Sequence, residues 1–442
     1  MVRKAYVRAV SLFLLTITLL LCLPFQVSAE GSPPAAENVD AFCVINKEHL
    51  EIVLQKDMSK VIYPTSTVKL MTALVAAEYF ADDLDTRITV TDEMLSGVVG
   101  RNLSLENGEK IRVTDLLHAM LVGGYNDAAV ILAYAVSGDI SSFCTEMNEK
   151  AEALGAVNTH YTNPTGLHDE TMYTTAYDTA LIGLAVMENT TLFDISKRVK
   201  YTIPATNKSE EKTIYNRNAL ITTSMTEEYY YSYAEGINSG ATDEGGDCVV
   251  TAGKLDGLSW VCVVMGGRQT SADDDTNYAC VAAKNLLRYA LISYEVKTLR
   301  SEKETVGTIP VRFSATEESV DVKMARDLFS LLHIDVDPQK DVTYEIIMNT
   351  QLMEAPIEEG TVVGSIRAVY NGELLDSTDL VTASTIDSHG FLIFMYRFKQ
   401  VTQHPVFIFF LLCGVSTLIY FLWKKMPLSD KKKDRRKRNR YF

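Results

Sequence analysis

The 442 residues are 47% hydrophobic and 22% charged, which is ordinary for globular domains joined to membrane segments and leaves room for two or three domains. The formal charge of −15 is unevenly spread, because residues 30–401 hold 29 Lys+Arg against 55 Asp+Glu, a net −26. That surface argues against nucleic acid or any other broad polyanion as partner; a small, locally positive substrate site stays compatible with it.

The chain opens with Arg3, Lys4 and Arg8, an apolar run from Val10 to Leu23, and Val27-Ser28-Ala29. These are the three parts of a secretory signal peptide over residues 1–29, cut after Ala29. Cys22 lacks the small-residue context of a lipoprotein site. Residues 30–39 read as a linker. Ala41 to Gln55 alternates as two short strands around Asn46-Lys47-Glu48. Pro64 and Thr65 then mark a helix entry, with Thr65 as a capping hydroxyl, and Leu70, Met71, Leu74 and Val75 form its apolar face. A strand is expected at Arg87–Thr91, a loop at Asn107-Gly108, and helices from Thr114, over Asp127–Val136 and over Ser141–Leu154. The turn-rich residues 162–178 lead to a helix at Thr179–Met187 and a strand near Thr202. Asp247–Ala252 and Trp260–Gly266 read as a central antiparallel hairpin, apolar enough to be buried on both faces, closed by a helix at Asn277–Ser293.

From residue 303 to 386 the pattern changes to short alternating segments, a smaller β-rich domain. Residues 387–404 are juxtamembrane, and Phe391–Phe398 reads equally as an interfacial segment or as a last strand. Residues 405–423 carry no charge and are long enough to span a bilayer, and the basic tail 424–442 follows. The positive-inside rule then places the tail in the cytoplasm and the rest outside a bacterial cell membrane, as a single-pass protein. Of the five cysteines between signal and span, several sit in apolar runs and read as buried thiols, with one bridge left open. The histidines show no ligand spacing, so neither a metal nor a cofactor is expected.

Ser66 and Lys69 stand at i, i+3 on one face of the helix that follows Pro64. A serine needs a base, and a desolvated lysine can serve as one. The helix N-terminus favours negative charge forming on the reacting oxygen. The spacing alone is weak, since Ser209/Lys212 and Ser429/Lys432 repeat it. Neither decoy is followed by an apolar helix face.

Two further motifs supply the context. Residues 120–133, MLVGGYNDAAVILA, place Gly124-Tyr125-Asn126 where S-G-N is common, and residues 234–246, AEGINSGATDEGG, place Asn238-Ser239-Gly240 where K-T-G is common. In order, spacing and flanks the chain resembles the low-molecular-weight penicillin-binding proteins, the D-alanyl-D-alanine carboxypeptidases, over about residues 40–290. Asn163-Pro164-Thr165-Gly166-Leu167-His168 with Tyr177-Asp178, and Asn216-Arg217-Asn218-Ala219-Leu220, add to the match. Residues 355–366, APIEEGTVVGSI, resemble the β domain that follows in the same family.

The resemblance implies an α/β (α+β) transpeptidase-like domain, of the penicillin-binding and β-lactamase kind, over residues 40–295. Its central antiparallel sheet is flanked by helices, and the C-terminal β domain and one transmembrane helix follow. It implies that Ser66 attacks the terminal D-Ala-D-Ala bond of a peptidoglycan stem peptide while Lys69 takes its proton and Asn126 holds Lys69 and the substrate amide. The backbone N–H groups of Ser66 and Ala241 would form the oxyanion hole, Asn238, Ser239 and Gly240 would bind substrate, and β-lactams would act as covalent inhibitors. The departures have consequences: Gly124 cannot relay a proton to the leaving amine, Tyr125 is one residue off, and Asn238 is neutral where a lysine would meet the terminal carboxylate. Arg217 is the candidate for the missing charge. Three readings stand side by side: a weakened or respecialised carboxypeptidase, a non-catalytic wall-binding paralogue, and a β-lactamase-type hydrolase. The last lacks a deacylation carboxylate motif, and the β domain argues against it.

Overall fold

A computed structural model describes residues 32–223, 227–314 and 316–425; the expected signal peptide and most of the basic tail lie outside the described residues. By internal contacts the chain divides into two units, residues 1–295 with 331–335, and 296–330 with 336–442.

The first unit is built on a five-stranded antiparallel sheet. In chain order its strands are β1 (Ala41–Asn46), β2 (Ile52–Lys56), β3 (Ala234–Thr242), β4 (Gly246–Leu255) and β5 (Leu258–Gly267), and in space they run β2-β1-β5-β4-β3. The expected hairpin is β4–β5, joined at Leu255↔Leu258. Its near-continuous apolar sequence has a physical cause, because the sheet is covered on both sides. Ala41, Cys43 and Ile45 with Val261, Val263 and Met265 enter one core; Phe42 and Val44 with Trp260, Cys262 and Val264 enter the other.

The first core is filled by α1 (Val68–Tyr79), α2 (Val113–Gly123), α3 (Asn126–Ser137), α4 (Ile140–Ala153) and α5 (Ala176–Glu188). The second is closed by α6 (Tyr278–Ser293), which turns Ala279, Ala283, Leu286, Leu287 and Ala290 inward at helical spacing. Side chains start several of these helices: Asp139 accepts from Ser142 N, Thr175 from Asp178 N, and Asn277 from Cys280 N. The Thr175 cap explains why α5 begins at Ala176, earlier than periodicity alone suggests. Cys43, Cys144, Cys248, Cys262 and Cys280 are all buried free thiols.

The second unit holds a six-stranded sheet in the spatial order Thr343–Met348, Val362–Tyr370, Glu373–Thr382, Ser319–Met324, Thr305–Arg312 and Met353–Glu354. Two helices follow, α7 (Gly390–Gln403) and α8 (Pro405–Lys425). Residues 391–398 are thus helical, and the alternative of a last strand is corrected. The His389 N–H meets the Phe313 carbonyl and Tyr396 packs on Phe313 at 5.0 Å, so the segment leaves the sheet edge as a helix whose apolar side chains stay exposed. Helix α8, 21 residues at mean hydropathy 2.3, is long and apolar enough to cross a membrane.

Candidate active site

A single 3-10 turn, Thr65–Thr67, precedes α1 and carries Ser66; Lys69 lies in the first turn of the helix. The two side chains meet, with Lys69 Nζ 3.2 Å from Ser66 Oγ. Lys69 is 1% exposed, and its Nζ also donates to the Thr165 carbonyl at 2.5 Å. Burial with no carboxylate beside it pulls the Lys69 pKa down to about 7. Near neutral pH the amine can therefore keep one N–H on Thr165 and turn its lone pair toward the serine hydroxyl.

The entry to this helix differs from the expected cap. Neither the 3-10 turn nor α1 receives a side-chain cap, and the buried Thr65 hydroxyl has no hydrogen-bond partner. Thr65 sits at φ +52°, a left-handed conformation unusual for a β-branched residue. The cause is the turn packed against it. Asn163 Oδ1 accepts from Thr165 N, Thr165 Oγ1 and Gly166 N, which presses Gly166 onto Thr65 and Ser66. A Cβ built on Gly166 would lie 1.8 Å from the Thr65 carbonyl oxygen and 3.0 Å from Ser66 Cα. Strain of this kind costs about 1–3 kcal/mol and persists where surroundings over-determine it.

The third motif lies on β3, the edge strand. A Cβ on Gly240 would come within 2.3 Å of Ser66 Cβ and 2.8 Å of its Oγ, so only glycine lets this strand run past Ser66. Asn238 lies two residues earlier, on the same side by strand alternation. It is 4% exposed, and its Oδ1 has no partner. Ser239 is half-buried and pairs in register with Val249, and Ala241, directly after Gly240, is exposed.

The second motif joins α2 to α3. Gly124 ends α2 in the left-handed region at φ +72°. The Tyr125 ring folds back across Gly123, where a Cβ would stand 2.3 Å from ring carbon Cε2. Asn126 starts α3 and is tied to the neighbouring loop, its N–H donating to Arg101 O at 2.7 Å and its Nδ2 to Val99 O at 2.9 Å. Asn126 thus holds the 99–101 loop, while Thr165 provides the lysine's second contact. A pocket of about 210 Å³ opens between Val98, Val99, Asn126, Tyr134 and Pro164.

Arg217 stands beside this junction. Its N–H donates to Val122 O, and its Cγ lies 3.7 Å from where a Gly124 Cβ would be. The flanking asparagines staple the loop, Asn216 to the Ser196 and Arg198 carbonyls and Asn218 to Gly236 O of β3. Desolvation, and then the nearby Arg101 charge, lower the Arg217 pKa. His168 packs edge-on against Tyr63 at 4.6 Å. Of the tyrosines near the third motif, Tyr229 is buried in the second core while Tyr230 and Tyr233 are exposed. Arg101 carried no motif signal, and the motifs that contain Thr165 and Tyr125 did not tell that Thr165 would meet Lys69 or that the Tyr125 ring would lie against Gly123 and Arg101, because these contacts are tertiary.

A buried lysine, its pKa lowered to about 7, in contact with a serine under an antiparallel edge strand is an arrangement suited to serine acyl transfer. Comparison with known proteins agrees. The family model for D-alanyl-D-alanine carboxypeptidase matches residues 28–269, more than half of the chain, and that for the penicillin-binding protein 5 C-terminal domain matches residues 294–388. The chain belongs to the D-alanyl-D-alanine carboxypeptidase family. It is 24% identical to the carboxypeptidase DacF of Bacillus subtilis, over 88% of this chain and 97% of that one. It is 25% identical to DacA of Escherichia coli, over 85% and 93%. Among solved structures, penicillin-binding protein 5 of Haemophilus influenzae superposes with a TM-score of 0.59 at 22% identity, covering 81% of this chain and 99% of that one. DacD of Francisella tularensis gives 0.61 at 23%, covering 83% and 100%. These two likenesses concern the fold.

Proposed function

We propose that this chain removes the terminal D-alanine of peptidoglycan stem peptides through an acyl-enzyme on Ser66. The observation that carries the reading is the Lys69 amine, buried, held near neutrality and 3.2 Å from Ser66 Oγ. In the first step Lys69 takes the hydroxyl proton as Oγ bonds to the carbonyl carbon of the penultimate D-alanine. The carbon–nitrogen bond to the last residue then breaks, and D-alanine leaves with a proton on its amine. Water next attacks the ester, freeing the shortened stem and returning the proton to Ser66. The backbone N–H groups of Ser66 and Ala241 serve as the oxyanion hole, a role that substitutions at positions 124 and 238 leave intact.

The loss of a relay hydroxyl at Gly124 and of a cation at Asn238 points to slower turnover. A charge-assisted hydrogen bond is worth about 1.5–3 kcal/mol, or roughly one to two orders of magnitude in rate or binding. Asn238, Ser239, Gly240 and Arg217 contact the substrate, and β-lactams acylate the same serine. Helix α8 anchors the protein, with residues 30–404 outside the cell and the basic tail in the cytoplasm. The inactive wall-binding alternative rests on Gly124 and Asn238 alone, and the contact between Ser66 and Lys69 speaks against it. Labelling by a fluorescent penicillin, compared between the parent protein and Ser66→Ala, tests the reading. Labelling confined to the parent is expected; equal labelling of both removes Ser66 as nucleophile.

A further inference from the structure

The third-motif strand offers no cation to an anionic substrate. Residues 234–242, AEGINSGAT, contain neither lysine nor arginine, and Asn238 presents a buried, unpartnered amide oxygen. Positive charge gathers instead at the second motif. The Arg101 guanidinium carbon lies 4.8 Å over the Tyr125 ring, with Nη2 at 3.5 Å from the Tyr125 hydroxyl, and Lys212 Nζ is 5.4 Å from the same ring. Arg217 lies along Gly124. Lys212 is engaged with the Leu103 carbonyl, but neither arginine has a carboxylate within ion-pair distance among the described residues. Arg112, Arg300 and Arg326 each bind an acid, whereas Arg87, Arg198 and Arg312, like Arg101 and Arg217, show no ion pair among the described residues. Both arginines are exposed, and they gather near one another on a surface where acids outnumber bases 55 to 29 over residues 30–401.

Both arginines are held in place from the backbone. The Arg101 carbonyl accepts the Asn126 N–H at 2.7 Å, and the Arg217 N–H donates to Val122 O at 3.2 Å, so the pair brackets residues 122–126. The ring of Tyr125, 6% exposed, is a rigid floor for Arg101, and Gly124 leaves the space beside Arg217 unfilled. Desolvation first, and then the like charge of Arg101, lower the Arg217 pKa, and a bound anion would relieve the second of these.

We propose that Arg101, together with Arg217, seats the C-terminal carboxylate of the substrate, so that the cationic role has moved from the third-motif strand to the second-motif loop. Arg101 is the specificity-determining residue in this arrangement. Planar guanidiniums suit a carboxylate because they donate in parallel pairs, which a lone asparagine amide does not match. This rests on the peptidase reading above for its substrate, yet it can be measured without turnover.

The test uses full-length Ser66→Ala protein in detergent and a short peptide ending in D-Ala-D-Ala, as the free acid and as the C-terminal amide. Direct binding should favour the acid. Arg101→Gln should weaken acid binding roughly 10- to 100-fold, leave amide binding within about twofold, and so remove the preference. Arg101→Lys should restore part of it, which a merely structural role would not predict. An unchanged acid-to-amide ratio in Arg101→Gln overturns the proposal, as does equal affinity for acid and amide before the substitution. Failure of the peptidase reading shows separately, as absent penicillin labelling of the Ser66-bearing protein.

Discussion

At the scale of single residues, the site is governed by where a proton sits. Lys69 is buried at a pKa of about 7, so acylation by penicillin should rise about tenfold per pH unit below neutrality and level off above it. The sign follows from the base being the deprotonated form. Lys69→Arg keeps the positive charge but cannot release it, and should reduce labelling to the Ser66→Ala level across the whole range. A pH profile of fluorescent-penicillin labelling checks both expectations. Gly166 has a different task, since a Cβ there would overlap the Thr65 carbonyl at 1.8 Å. Gly166→Ala should displace the nucleophile and lower the acylation rate at least tenfold. It should also cost about 1–3 kcal/mol of stability, read as a drop in denaturation midpoint.

At the scale of elements, the unusual second motif is a packing unit. Tyr125 fits because Gly123, the last residue of α2, has no side chain, and ring carbon Cε2 occupies the place of its Cβ. The two positions should therefore be coupled. Gly123→Ala alone should destabilise by about 1–3 kcal/mol through overpacking, and the same change beside Tyr125→Gly should cost much less. A double-mutant cycle in urea measures the difference; additive effects would mean the ring has another place to go. Gly124, by contrast, has room for a side chain, its built Cβ meeting only Arg217 Cγ at 3.7 Å. At φ +72° a serine there is strained by about 1–2 kcal/mol but not blocked. Gly124→Ser with Asn238→Lys should then raise D-alanine release from a stem-peptide mimic, and unchanged release would show that the relay and charge are supplied by other groups.

At the scale of the molecule, the candidate site lies within one unit. Ser66, Lys69, Asn126, Thr165, Arg217 and Asn238–Ala241 all lie within residues 1–295, around a sheet with a core on each side. The exposed apolar side chains concentrate elsewhere, along α7 and α8. A chain ended at Asp387 should therefore leave the membrane fraction for the soluble one and keep its penicillin labelling rate within about twofold. Cell fractionation followed by labelling checks this, and lost labelling would tie the helices to the site.

What the sequence determined by itself was whatever repeats over a few residues. The apolar runs of β4 and β5, the helical faces of α1 and α6, and the one-turn spacing of Ser66 and Lys69 are local patterns, and local geometry was enough to place them. The third-motif strand was not legible in this way. Gly236, Asn238, Ser239 and Gly240 read as loop formers, and they extend because β4 pairs with them and Ser66 admits nothing larger than glycine alongside. The seat of Lys69 was likewise a tertiary decision: the carbonyl that receives its N–H belongs to Thr165, 96 residues away. The gathering of Arg101 and Arg217 around Gly124–Asn126 was decided in the same manner. Side chains distant in sequence share an electrostatic field only after the backbone between them has folded, and no spacing along the chain encodes it.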